Sequence, residues 1–275
     1  MTDSINHEPL EYPFEYAKDG FPELDDRDYA CILLPDLDYD AQLKAIHNLL
    51  QRHRKTESAL SDEIRDIENH ARQLTGFRNQ QAVDEWVERL HDSVYQDAAH
   101  SMAAVGMLAP LVESIFYQAL LKVRDHLLLT SLHMQSHPRW QHNDDKQWDC
   151  HFIWRGTKWT KDLVAGIYDL AEAVGLADYL PVDLRQKLQA LFGYRNKMFH
   201  LGFEWPMNEL QKFAKLTNDW PNDWFRAAKR DGTPWIFYMT EPFVSQCAVA
   251  IEQVIESIGV FARDLMDDSS AQHLA

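Results

Sequence analysis

Apolar residues recur three and four positions apart along most of this chain, a period that marks helices rather than strands. From Asp38 onward Leu43, Ile46, Leu50, His53, Glu57, Leu60, Ile64, Ile67, Ala71 and Leu74 keep that spacing. They predict one long helix with a coiled-coil-like seam over residues 37–78. His53 and Glu57 fall on the seam itself, where polar residues mark a solvated or partner-facing stretch. Thr75 and Gly76 close this helix, and a second begins after Asn79, with Val87, Leu90, Val94, Ala98, Met102, Val105 and Leu108 on one face. So short a connection predicts a helical hairpin. Pro110 predicts a kink rather than a stop, because the apolar spacing resumes at once from Leu111 to Leu129. Met102 to Leu129 is apolar around most of its circumference and is expected to be the central buried helix of a bundle.

The periodicity breaks over residues 133–159, where Pro138 and four tryptophans (Trp140, Trp148, Trp154, Trp159) predict a long aromatic loop. Thr160 to Val174 then reads as a helix stopped by Gly175, and Asp183 to Leu201 as a helix stopped by Gly202. Met207 to Leu216 and Asp223 to Arg230 read as short amphipathic helices, and Trp235 to Met239 is the only strand-like run. Thr240 and Pro242 open a last helix whose apolar face carries Val244, Cys247, Ile251, Val254 and Ile258. The expected fold class is all-α, a long N-terminal hairpin joined to a helical bundle over residues 79–268.

With 45% hydrophobic and 25% charged residues the chain is not disordered throughout, and its net charge of −16 is unevenly placed. Residues 1–40 hold twelve acids against Lys18 and Arg27, a net −10. Pro9, Pro13, Pro22 and Pro35 alternate there with Tyr12, Phe14, Tyr16 and Phe21, so residues 1–36 read either as an extended acidic arm lying on the body or as a solvated tail. The remaining −6 argues against a duplex-DNA binder and leaves room for a local basic surface. Cys31, Cys150 and Cys247 are far apart, which fits neither a disulfide framework nor a paired zinc site and points to a cytoplasmic setting. The longest nearly unbroken apolar run, Met102 to Val112, falls well short of the roughly 20 residues a bilayer requires, so no membrane span is expected.

The helix from Asp183 to Leu201 carries the candidate chemistry. Leu184, Leu188, Leu191, Phe192 and Phe199 form an apolar stripe with Arg195 near its middle. A guanidinium there is costly unless it is paired, with a buried acid such as Glu113, or opens onto a cleft or interface. His200 lies in the last helical turn, at the negative end of the macrodipole, where it either caps terminal carbonyls or serves proton transfer. Asn196 stands four residues earlier on the same face and could orient the ring. On an ideal helix, however, Arg195 and His200 point about 140° apart, too far to address one phosphate directly. Between Pro181 and Phe203, Arg185, Lys187, Arg195 and Lys197 outnumber Asp183, which makes a phosphate-facing patch that could bind RNA.

Arg195-Asn196-Lys197-Met198-Phe199-His200 resembles the signature of the HEPN superfamily: an arginine, a polar residue directly after it, and a histidine five positions from the arginine. The resemblance covers residues 80–268, with the Trp-rich loop as an insertion. It implies an all-α bundle and a metal-independent endoribonuclease of a toxin–antitoxin or antiviral defence system, needing no cofactor. In that resemblance His200 activates the ribose 2′-hydroxyl or protonates the leaving oxygen, Arg195 stabilises phosphate charge, and Asn196 orients. It further implies a homodimer whose two motifs face each other across a cleft, RNA as substrate, and a cognate antitoxin or regulatory protein as partner. The alternative is a catalytically silent HEPN-like protein that binds a partner through its acidic arm and long hairpin. A second cluster, His133, His137, His142, Asp144, Asp145, Asp149, Cys150 and His151, contains metal-ligating types in no familiar zinc spacing and reads as a polar surface loop anchored by its tryptophans. Those tryptophans, with Arg155, Lys158 and Lys161 nearby, could alternatively stack on unpaired bases.

Overall fold

The computed structural model describes residues 24–130, 136–142 and 144–273; the arm before residue 24 and His133 lie outside them. The fold is all-α in class, with 75% helix and 8% strand. Helix α1 (Asp26–Leu33) opens with a reciprocal capping box between Asp25 and Asp28 and buries Ala30 and Leu33. The last part of the acidic arm is therefore helical rather than extended. It packs on the final helix, α7 (Glu241–His273), so closely that a Cβ at Gly259 would stand 1.7 Å from the Asp26 carbonyl oxygen. Arg263 locks the pair with a 2.6 Å contact to Asp26.

Helix α2 (Tyr39–Gln73) is capped by Asp38 and returns through Gly76 into α3 (Phe77–Thr130), giving the expected hairpin. The second helix starts slightly earlier than Asn79, whose side-chain amide instead donates to the Ala71 carbonyl at the end of α2. Pro110 is carried inside α3 without ending it. Val105, Leu108, Val112, Ile115, Phe116, Leu120 and Val123 are all buried, so this half of α3 is the core helix its composition predicts. The seam of α2 is buried at its two ends, at Leu43, Ile46, Leu50 and Ala71, and between them His53, Leu60, Ile64 and Ile67 are half-buried and Glu57 is exposed. Helices α3 and α7 each contain a stretch long and apolar enough to cross a membrane, with 56% of each stretch buried inside the fold. Counting unbroken apolar runs missed both stretches, because a few interspersed polar residues leave the mean hydropathy high.

Two segments differ from the helix-and-loop reading. After two short 3₁₀ turns (Pro138–Gln141 and Asp145–Trp148), the Trp-rich region forms an antiparallel hairpin of β1 (Phe152–Trp154) and β2 (Trp159–Lys161). Asp223 to Arg230, read as a helix, instead forms β3 (Phe225–Arg230), paired with β4 (Thr233–Met239). The cause lies in the turn: Asp231 and Gly232 both have positive φ, 51° and 78°, which suits the tight two-residue connection that Asp-Gly favours. Helices α4 (Leu163–Val174), α5 (Leu184–Leu201) and α6 (Met207–Leu216) complete the bundle around α3. Gly175 in the left-handed region ends α4, and Gly202, at φ 72°, ends α5.

Candidate active-site cleft

Helix α5 buries Leu184, Leu188, Leu191 and Phe192 in the core of the bundle, and the β3–β4 hairpin covers part of its later turns. Tyr194 donates a 2.9 Å hydrogen bond to the Phe237 carbonyl and packs its ring against Trp205, Phe213 and Phe225. Tyr194 and Met198 are therefore core residues, whereas Phe199, assigned to the stripe by its spacing, is 53% exposed. Arg195 is not embedded in a core stripe, nor is it paired with Glu113. It stands half-buried beside the core face of the helix and lines a cleft of about 890 Å³.

Arg195, Asn196 and His200 all line that cleft, although an ideal helix separates the first and last widely. The Arg195 guanidinium lies 5.9 Å from the ring of Phe199, one turn onward. Asn196 turns to Arg195, accepting from Nη1 at 3.4 Å, rather than to the imidazole of His200. Arg185, Arg155 and Lys161 line the same space from α5 and the β1–β2 hairpin, against the carboxylates of Glu113 and Asp162. Arg155 is held by Asp162 at 3.0 Å, and Arg185 lies 5.1 Å above the Tyr168 ring. In an acidic chain this cleft concentrates cations, which is the charge pattern a phosphodiester requires.

The other two basic residues of the patch are spent elsewhere. Lys187 pairs with Asp183 at 2.7 Å and is mostly covered. Lys197 pairs with Glu209, and together with Lys212 it holds the Glu209 carboxyl down at about 2. Neither lines the cleft.

Part of the cleft wall comes from the Trp-rich region, and a residue missed in the sequence builds it. Arg139, whose side chain is fully buried, donates to the carbonyls of Lys146, Gln147, Asp149 and Phe152 and to Asp169 at distances of 2.5 to 3.1 Å. Its guanidinium also lies 5.1 Å from the Trp159 ring. A single charge thus replaces regular secondary structure in organising residues 139–152, and nothing periodic in the sequence announces it. The tryptophans pack around it, Trp140 on Trp148 and Trp154 on Trp159, as anchors. Gly166 admits the loop to α4, since a Cβ there would meet the Cys150 carbonyl at 2.2 Å.

This framework presents His151 to the cleft between two carboxylates, Asp149 at 2.6 Å from Nδ1 and Glu113 at 2.9 Å from Nε2. Among the described residues, Asp149, Cys150 and His151 bring three metal-ligating atoms within 4.8 Å of one another. Both nitrogens of that imidazole already contact carboxylates, and burial pushes the Cys150 thiol up to about 12, which makes it a poor thiolate ligand. Compared with family models, with characterised proteins and with solved structures, the chain matches none.

Proposed function

We propose that this chain is a metal-independent endoribonuclease of the HEPN type, acting in a toxin–antitoxin or antiviral defence setting. The observation that carries the reading is the convergence of Arg195, Asn196 and His200 on one cleft, with Arg185, Arg155 and Lys161 around them. The reaction uses the substrate's own 2′-hydroxyl as nucleophile. The protein's tasks are then proton transfer, assigned to His200, and stabilisation of the phosphorane charge, assigned to Arg195. Exposed Phe199 and Met207 lie at and just beyond the end of α5 and offer an apolar surface to a second copy, which suits a homodimer.

A second reading, a silent interaction module, is favoured by one specific feature: Val83, Val87 and Leu90 form an exposed apolar row along α3 on the hairpin. Incubation of the purified chain with varied single-stranded RNAs in EDTA separates the two. Cleavage that yields 2′,3′-cyclic phosphate ends and disappears in His200→Ala is the expected result. Intact RNA in every mixture, with well-folded protein, assigns the chain to the interaction module.

A further inference from the structure

Transfer of the phosphoryl group from O5′ to O2′ requires two proton movements, at oxygens on opposite sides of phosphorus, and one imidazole cannot reach both. The cleft offers a second. We propose, resting on the ribonuclease reading, that His151 is the general acid of the cleft and gives its proton to the leaving 5′-oxygen. The inserted region would then supply part of the catalytic machinery.

The carboxyl groups of the cleft are engaged otherwise. Asp162 caps α4 through the Ala165 amide at 3.2 Å and also holds Arg155. Glu113 meets His151 itself. His151 is built for one orientation. Asp149 Oδ1 lies 2.9 Å from its backbone nitrogen and 2.6 Å from Nδ1, so a single oxygen fixes both main chain and ring. The carbonyls on either side of it, of Asp149 and Phe152, are clamped by buried Arg139 at 2.7 and 2.9 Å. Such support from packed, hydrogen-bonded neighbours is what holds a reacting group in place. With Nδ1 committed to Asp149, Nε2 is the working nitrogen, on the wall that Glu113 shares. Tyr117 closes the other side, its ring 5.6 Å from the imidazole. A ring facing one carboxylate from each nitrogen donates to both only when it carries both protons. A proton given up at Nε2 leaves the Nδ1 contact with Asp149 in place, and His200 is left as the base.

The step balances without a co-reactant. The O2′ proton passes to His200, the O2′–P bond forms, the P–O5′ bond breaks, and the His151 proton goes to O5′, which has replaced Glu113 at Nε2. The products are a 2′,3′-cyclic phosphate and a 5′-hydroxyl. The two imidazoles end in exchanged protonation states and are restored by solvent.

The test uses an RNA that the wild-type chain cuts, prepared also with sulfur in place of the bridging 5′-oxygen at the cut site, since a thiolate leaves without a proton. His151→Gln is expected to cut the oxygen substrate about 100-fold or more slowly, the usual loss of a general acid. It is expected to cut the sulfur substrate within a few-fold of wild type. His200→Gln is expected to be slow on both. Asp149→Asn, which loosens the ring without removing it, should show a smaller defect with the same rescue by sulfur. Wild-type rates of His151→Gln on the oxygen substrate, or equal slowing on both, overturn the assignment and leave the ribonuclease reading standing. Failure of both variants to fold or to cut the sulfur RNA makes His151 structural and also overturns it. If the wild-type chain cuts no RNA, both readings fall together.

Discussion

The cleft beside α5 and a smaller cavity of about 160 Å³ beneath the α2–α3 hairpin both gather histidines with carboxylates, and their electrostatics are opposite. Glu57, Asp97 and Glu241 line the small cavity with His100 and one arginine, Arg226. The ring of His53, from the polar part of the seam, stands 4.7 Å from that of His100. Burial, with Glu57 nearby, raises the Asp97 carboxyl to about 6, and burial lowers His100. Burial here therefore favours the neutral forms of Asp97 and His100. In the cleft the same residue types lie among arginines in a wide opening to water. The difference teaches that residue types alone do not fix the electrostatics of a cluster. The sign of the neighbouring charge and access to solvent do.

The contrast breaks most severely if Arg139 is removed. Arg139→Ala leaves four carbonyls and Asp169 without their buried donor and should cost about 3–5 kcal/mol in urea unfolding, the usual penalty for breaking a buried charge pair. Cleavage should vanish with it, because the wall bearing His151 is lost. A melt like that of wild type would show that the Trp-rich region is held by its tryptophans alone.

Next in size, Arg195→Ala and His200→Ala should each lower cleavage about 100- to 1,000-fold while leaving thermal unfolding nearly unchanged. Neither substitution opens an apolar cavity, since both side chains face the cleft. A large drop in melting temperature for both would place them with the small cavity, as structural residues.

Charge at the cleft can then be graded. Arg185→Glu should weaken RNA binding about tenfold and flatten its salt dependence, whereas Lys197→Ala, already neutralised by Glu209, should change neither by much. Equal effects from the two would mean that the whole α5 surface, rather than the cleft, attracts RNA.

The smallest effect is expected at Asp97. Its folded carboxyl titrates above the unfolded one, so the fold keeps a proton that the unfolded chain releases, and stability falls as pH rises from about 4 to about 6. Asp97→Asn removes that penalty. It should stabilise the protein by about 1 kcal/mol above pH 6, the shift being discounted for partial exposure, with no gain below about pH 4. RNA cleavage should stay at the wild-type rate; a loss would join the two cavities functionally.

How far these regions were legible differs with the range of the interactions that form them. The 3.6-residue period marked α2, α3, α4, α5 and α7, because burying one face of a helix demands apolar residues at that spacing along a single segment. Gly175 and Gly202 marked ends for the equally local reason that each adopts a positive φ. The α5 motif was readable as residue types, and its last-turn histidine was placed correctly. The β3–β4 hairpin had a local signal too, Asp231-Gly232, which the alanines and basic residues of Phe225–Arg230 obscured.

By itself, then, the sequence determined the helical class, the hairpin of long helices, the core half of α3 and the proximity of Arg195, Asn196 and His200 along one helix. It placed Leu184, Leu188, Leu191 and Phe192 of α5 in the core, but not the last turns, where Tyr194 is buried and Phe199 is exposed. There Tyr194 packs against Phe225 and donates to the Phe237 carbonyl. Nor could the sequence show that Arg139, Asp149 and His151 form one wall with Glu113, which lies 38 residues before His151 in the chain. Helix periodicity reports what a segment buries. A cleft is made of what several segments leave unburied, and that is settled only when they pack.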